Sequence, residues 1–222
     1  MTAKFDPAGL PKFPDLRFEE ALWKTGLTRL GGVDEAGRGA WAGPVSAGIV
    51  ILPPDPSILN TLHGVRDSKL MTALQRENWA ALIKETCLAW GVGFASAQEI
   101  DAGGILPATR LAVMRALQNL SMPPEHLITD YLKLPEISIP QTPLVKGDRR
   151  CLSVAAASVL AKTNRDALMR QLEKEYPAYG FGRHKGYGTR QHQEAIRENG
   201  LSGVHRRSFE IGKYLIPVLK GL

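Results

Sequence analysis

A chain of 222 residues, 44% of them hydrophobic, can build one generous domain with a buried core and is too apolar to be disordered. Only Cys87 and Cys151 occur, with no disulfide framework or zinc spacing, no apolar run reaches the roughly 18 residues of a membrane span, and the charged, proline-bearing start has no signal-peptide core, so a cytoplasmic setting is expected. The net charge of +6 is uneven: from Lys146 onward 15 Lys/Arg face 7 Asp/Glu, net +8, leaving −2 for the first 145 residues, which points to a polyanionic partner for the C-terminal part.

Residues up to about 16 are proline-rich and read as an arm, followed by a short helix over "LRFEEALWKTG". "RLGGVDEAG" and "VSAGIVIL" read as two strands separated by glycine and Gly43-Pro44. "TALQRENWAALIKETC" (72–87) has helical periodicity, "AWGVGFASA" (89–97) reads as a strand, and "ILPATRLAVMRALQNL" (105–120) as a helix. "HLITDYLKL" (126–134) is a short strand and "SIPQTPLVKG" (138–147) an extended edge element. A long helix starts near Leu152. Glycine and proline punctuate 177–188, and "QHQEAIREN" leads into a C-terminal helical segment over about 189–222. Five strands interleaved with helices predict a single α/β domain: a mixed five-stranded sheet flanked by helices. The small residues Ala155-Ala156-Ala157-Ser158 let the long helix approach that sheet closely and make it scaffold.

The acids are placed unusually. Asp130 ends an apolar run, where a carboxylate is costly unless paired or metal-bound. Asp148 precedes the long helix, whose N-terminal dipole favours negative charge; alone, it reads as a helix-start residue. Asp34 and Glu35 end the first strand, so their side chains point to opposite faces and meet one ion only if the chain turns there, which Gly37 and Gly39 would permit. Four acids at strand ends and a helix start form an all-oxygen set suited to Mg²⁺ or Mn²⁺. Beside a basic face, such a set suggests two-metal phosphodiester hydrolysis.

Several long stretches, in order from about residue 30 to 210, resemble the bacterial ribonuclease HII family: "GVDEAGRGAWAGPV", "RDSKL", "WGVGFASAQEIDAGGI", "ATRLAVMRAL", "LVKGDRRCLSVAAASVLAKTNRD", "YPAYGFGRHKGYGT" and "HRRSF". In "ITDYLKL", Tyr131 stands where the family often has glycine. The resemblance implies a ribonuclease H-like fold and a metal-binding catalytic set of Asp34, Glu35, Asp130 and Asp148. It implies that Gly37-Arg38-Gly39 senses a ribonucleotide 2′-hydroxyl, that Lys69 contacts phosphate, and that Tyr187 stacks beside the junction. His184 and Lys185, in a glycine-flanked loop, suit phosphate contact. The substrates implied are RNA–DNA hybrids and duplex DNA carrying single ribonucleotides, cut on the 5′ side to leave 3′-hydroxyl and 5′-phosphate ends. Backbone groups beside glycines can approach a 2′-hydroxyl, which both donates and accepts hydrogen bonds.

Two alternatives stand beside this reading. A ribonuclease HIII-like enzyme shares the core but carries an N-terminal substrate-binding domain, for which about 29 residues before the first strand are too few. A catalytically silent hybrid-binding module would not need all four acids. The tail "EIGKYLIPVLKGL" lacks the glutamine and paired aromatics of a sliding-clamp peptide, so no clamp partner is expected, and the protein is expected to be a monomer.

Overall fold

The computed structural model describes residues 10–214. Its elements are α1 (Arg17–Trp23), β1 (Leu30–Ala36), β2 (Val45–Ile51), α2 (Ile58–Thr61), α3 (Ala73–Thr86), β3 (Ala89–Ala95), α4 (Ala97–Gly103), α5 (Ile105–Gln118), β4 (His126–Asp130), β5 (Gln141–Leu144), α6 (Leu152–Glu175), α7 (Phe181–His184) and α8 (Arg190–Asn199). The five strands form one mixed sheet in the order β3-β2-β1-β4-β5. β1, β2 and β3 pair antiparallel, whereas β1–β4 and β4–β5 are parallel. The predicted α/β architecture is what the chain adopts.

Alternation along the strands decides which helix covers which face. Val33, Ala47 and Ile49 pack with Ala108, Ala112 and Ala116 of α5. Val50, one residue out of that phase, packs with Ala155, Ala156 and Ala157 of α6, whose outer side carries Ala80 and Ile83 of α3. The small residues of α6 meet glycines across the interface. A Cβ at Gly32 would lie 2.2 Å from the Ser153 carbonyl carbon, and one at Gly48 2.4 Å from the Ala157 oxygen. Any side chain there would push the helix off the sheet and carry the segment before it away from the strand ends.

Several expectations need adjustment. The N-terminal arm is not loose where it is described: Leu16 is buried and Asp15 bridges to Cys151. Buried Glu19 accepts from the Ser153 amide at 2.8 Å and so serves the first turn of α6. Asp148 is therefore not the cap of that helix; it sits in a 3₁₀ turn, Gly147–Arg149, just before it. Among its described residues the C-terminal segment contains one α-helix, α8, then short 3₁₀ turns at Arg207–Phe209 and Ile211–Tyr214. Residues 1–9 of the arm and 215–222 of the tail lie outside the described residues.

Candidate active site

Parallel pairing of β1 with β4 places Val33 opposite Thr129, so Asp34 and Asp130 are the next residues outward on neighbouring strands. Asp34 shares the α6 face with Gly32, and Asp130 shares it with Ile128, which packs on Val154. The turn before α6 brings Asp148 to the same end of the sheet, and the Gly147 amide donates to Asp130 Oδ1 at 2.7 Å. Glu35 points to the other face. The strand stays extended through Ala36, so the turn at Gly37 comes too late to fold Asp34 and Glu35 onto one point. Instead the Glu35 amide donates to Asp34 Oδ1 at 2.7 Å, and Glu35 Oε1 accepts from Arg38 at 3.0 Å. Glu35, Arg38, Asp130, Tyr131 and Lys133 border a cleft of about 540 Å³.

The electrostatics of this corner favour a cation. Asp34 and Asp148 are almost fully buried, and Asp34 Oδ2 and Asp148 Oδ1 have no hydrogen-bond partner. Burial first, then the charges of Glu35 and Asp130, hold the Asp34 carboxyl well above the usual carboxylate range. Burial and the Asp130 and Asp67 charges push Asp148 up to about 6. Glu35 and Asp130 are raised by burial too, against the counter-pull of Arg38 on the former and of the Gly147 amide and Lys69 on the latter. Burial works against the charge of Lys69, but Asp67, Asp34, Asp148 and Asp130 outweigh it and strengthen its hold on its proton. Among the described residues no three Asp, Glu, His or Cys side chains are drawn together into a ready metal cage. The donor chemistry nonetheless fits hard divalent ions: carboxylates only, two of them with buried, partnerless oxygens.

The glycine loop differs at its two ends. Gly37 has φ 87°, and a Cβ on it would lie 2.0 Å from Arg165 Nε, so this glycine is demanded by the fold. Gly39 has nothing within 4 Å of a built Cβ. Among the described residues the exposed Arg38 and Gly39 amides have no protein acceptor. That leaves two free backbone donors, with open space beside the one at Gly39.

The other predicted residues separate. Lys69 sits on a 3₁₀ turn capped by Asp67, and Ser68 Oγ meets Ser158 Oγ of α6 at 2.9 Å. Tyr187 is partly exposed, with Arg165 and Lys162 5.6 and 5.7 Å from its ring centroid. Lys185 directs its ammonium to the Gly182 carbonyl. His184 is corrected: it is 8% exposed, Nε2 meets the Tyr179 carbonyl at 2.7 Å and Nδ1 accepts from the Gly186 amide at 3.2 Å. With both ring nitrogens engaged it supports the loop and has nothing left for phosphate. Sequence reasoning missed Arg165 and Arg206, the two largest fully buried side chains. The one available signal was a lone arginine at 165, seven residues along the buried face of α6 from Ser158.

Residues 31–211 match the family description "Ribonuclease HII". The chain is 46% identical over 206 residues to ribonuclease HII of Dehalococcoides mccartyi, covering 90% of this chain and 95% of that one. It is 48% identical over 213 residues to ribonuclease HII of Chloroflexus aurantiacus, covering 94% and 96%. Its backbone is similar to that of the Archaeoglobus fulgidus ribonuclease HII, solved in complex with PCNA, with TM-score 0.71, 25% identity, and coverage of 85% and 97%.

Proposed function

The chain belongs to the ribonuclease HII family, endoribonucleases that act on RNA–DNA hybrids, and from that premise we propose a divalent-metal-dependent nuclease that also cuts at single ribonucleotides embedded in duplex DNA. The observation that carries the metal dependence is the pair of buried, partnerless oxygens on Asp34 and Asp148 within a four-acid corner. Asp34, Asp130, Asp148 and Glu35 would hold Mg²⁺ or Mn²⁺. Bound there, two such ions supply an activated water and stabilise the leaving 3′-oxygen, which leaves 5′-phosphate and 3′-hydroxyl ends.

The chain's own groups do the rest. Arg38 holds Glu35 in place, and Lys69, charged and exposed among the acids, binds the backbone phosphate. The free amides of Arg38 and Gly39 donate to the 2′-hydroxyl, and Tyr187 stacks on the adjoining sugar or base. Lys185 adds positive charge to the loop that carries Tyr187. We further propose one catalytic domain, acting as a monomer in the cytoplasm. Among the described residues no helix is long and apolar enough to cross a membrane. The tail that bears on clamp binding lies partly outside the described residues.

The test is cleavage of two duplexes, one with a single ribonucleotide and one with a continuous RNA strand, in Mg²⁺ or Mn²⁺. We expect both to be cut, and Asp34→Asn to bind both without cutting. An active Asp34→Asn enzyme would refute the metal assignment.

A further inference from the structure

Arg165 and Arg206 are each 0% exposed, and among the described residues neither lies within ion-pair distance of a carboxylate. All the donors that find a partner go to backbone carbonyls instead. Arg165 Nε donates to Pro44 at 2.8 Å, Nη1 to Lys185 at 2.9 Å and Nη2 to Ala42 at 3.1 Å. Arg206 Nε donates to Gly43 at 3.0 Å and Nη1 to Arg38 at 2.7 Å, while its buried Nη2 has no partner. Backbone bonds knit the same segments: Trp41 N to Gly186 O, Gly43 N to Val204 O and Arg206 N to Trp41 O, each 2.8 Å. The loop after β1 is thereby pinned between the loop carrying Tyr187 and the segment carrying Arg206.

Stability alone does not account for this arrangement. Burying two guanidiniums without carboxylates is costly, and apolar side chains of similar volume would fill the space at less cost. Burial lowers the affinity of both for their protons, and the neighbouring charge of Arg165 adds to the effect on Arg206. What a guanidinium provides, and an apolar side chain does not, is several donors in one rigid plane. Here that plane fixes the carbonyls of residues 38, 42, 43, 44 and 185 relative to one another. Gly37 lies against the Arg165 side chain, and the Arg38 carbonyl is held by Arg206, so the two free amides at 38 and 39 are aimed by the buried pair.

We infer that Arg165 and Arg206 form a two-arginine clamp that aims the ribose-reading loop and so sets the enzyme's preference for a ribonucleotide over a deoxyribonucleotide. They are positioning residues: neither has a surface from which to touch substrate. The inference rests on the reading of residues 37–39 as the 2′-hydroxyl contact. It separates two properties, because the acids do the cutting and the clamp decides where.

The experiment compares the wild type with Arg206→Lys and Arg206→Gln on three duplexes: all-DNA, one ribonucleotide, and a continuous hybrid. Cooperative thermal unfolding is checked in parallel. Binding is measured in an Asp34→Asn background. We expect the ratio of one-ribonucleotide to all-DNA affinity to fall about tenfold in Arg206→Gln, the factor expected for a misaimed hydrogen bond. All-DNA affinity, set by phosphate contacts, should be unchanged. Cleavage at the lone ribonucleotide should fall more than cleavage of the hybrid, with Arg206→Lys intermediate because it can still serve one carbonyl. A folded Arg206→Gln protein that keeps the wild-type ratio, or loses both substrates equally, overturns the clamp and leaves the nuclease standing. A wild type that cuts neither ribonucleotide substrate overturns the functional reading and the clamp with it. Should both variants fail to fold, amide exchange in the wild type decides. The Trp41, Ala42 and Gly43 amides must exchange as slowly as β1 and β2, and fast local exchange would show that the loop is not clamped.

Discussion

Asp148→Asn should make the metal-free protein more stable while destroying its response to metal. In the folded protein Asp148 titrates at about 6, against an ordinary value of 3.8, chiefly because it is buried and secondly because Asp130 and Asp67 lie nearby. Between those two pH values the folded chain binds more protons than the unfolded chain, so stability falls as pH rises through about 4 to 6 and stays reduced above it. At neutral pH a rise of that size corresponds to about 3 kcal/mol. Lys69 and Lys146 already temper that rise, and asparagine must itself bury an amide in the same place, leaving about 1–2 kcal/mol for the substitution to recover. For a chain of this length that is about 2–8 °C in Tm. The assay is thermal unfolding in a chelator at pH 7.5 and pH 4, then again with Mg²⁺ or Mn²⁺. The gain should be present at pH 7.5 and shrink towards zero at pH 4, where the wild-type carboxyl is itself neutral. Added metal should raise Tm of the wild type but hardly that of the variant. A variant less stable than wild type in chelator at pH 7.5, or a difference that ignores pH, would refute the view of this corner as strained by uncompensated charge.

Gly39→Ala should fold normally and lose cutting at a lone ribonucleotide, because its Cβ meets only the space the ribose would occupy; Gly37→Ala should instead lower Tm, since its Cβ strikes Arg165. A fully active Gly39→Ala enzyme would take the loop out of substrate contact. Tyr131, 72% exposed with φ 60°, holds a left-handed backbone that costs a bulky residue about 1–2 kcal/mol. Tyr131→Gly should therefore stabilise by about 0.5–1 kcal/mol in urea unfolding, after the greater entropy of unfolded glycine; unchanged stability would mean the strain is compensated elsewhere. Replacing exposed Arg183 and Arg190 by serine should shallow the log–log salt dependence of hybrid binding by about 0.9 per lost phosphate contact, and an unchanged slope would exclude that loop from the DNA face.

Much of the fold could be read in the sequence because apolar periodicity and glycine punctuation act locally. All five strands and the helices α1, α3, α5, α6 and α8 fall where those patterns put them. α4 was missed although its capping box is present in sequence: Ser96 accepts from the Glu99 amide and Glu99 from the Ser96 amide. It was hidden because the apolar run of β3 leads straight into it. Tyr131 could be read only as a departure from a family pattern. The structure explains it as a left-handed position that glycine fills without strain. The turn that would have let Asp34 and Glu35 share one ion is absent for a different reason. A glycine permits a turn but does not say on which residue it starts, and pairing with β2 carries the extended backbone through Ala36.

The acids and the clamp mark where such reading stops. A carboxylate that ends an apolar strand announces itself, because its chemistry resides in the side chain and its misplacement is visible in one letter. Arg165 and Arg206 act on carbonyls, and every residue has a carbonyl. Nothing in the letters at 38, 42, 43, 44 or 185 says that their oxygens converge on two guanidiniums. His184 is the converse case: a polar residue in a basic loop, whose ring nitrogens turn out to be taken up by the backbone of its own loop. On the proposed reading, the cutting half of this site is written in side chains, and the reading half in backbone held from behind. Substitutions at the first should abolish turnover, whereas substitutions behind the second should change which sugar is accepted while the acids remain able to cut.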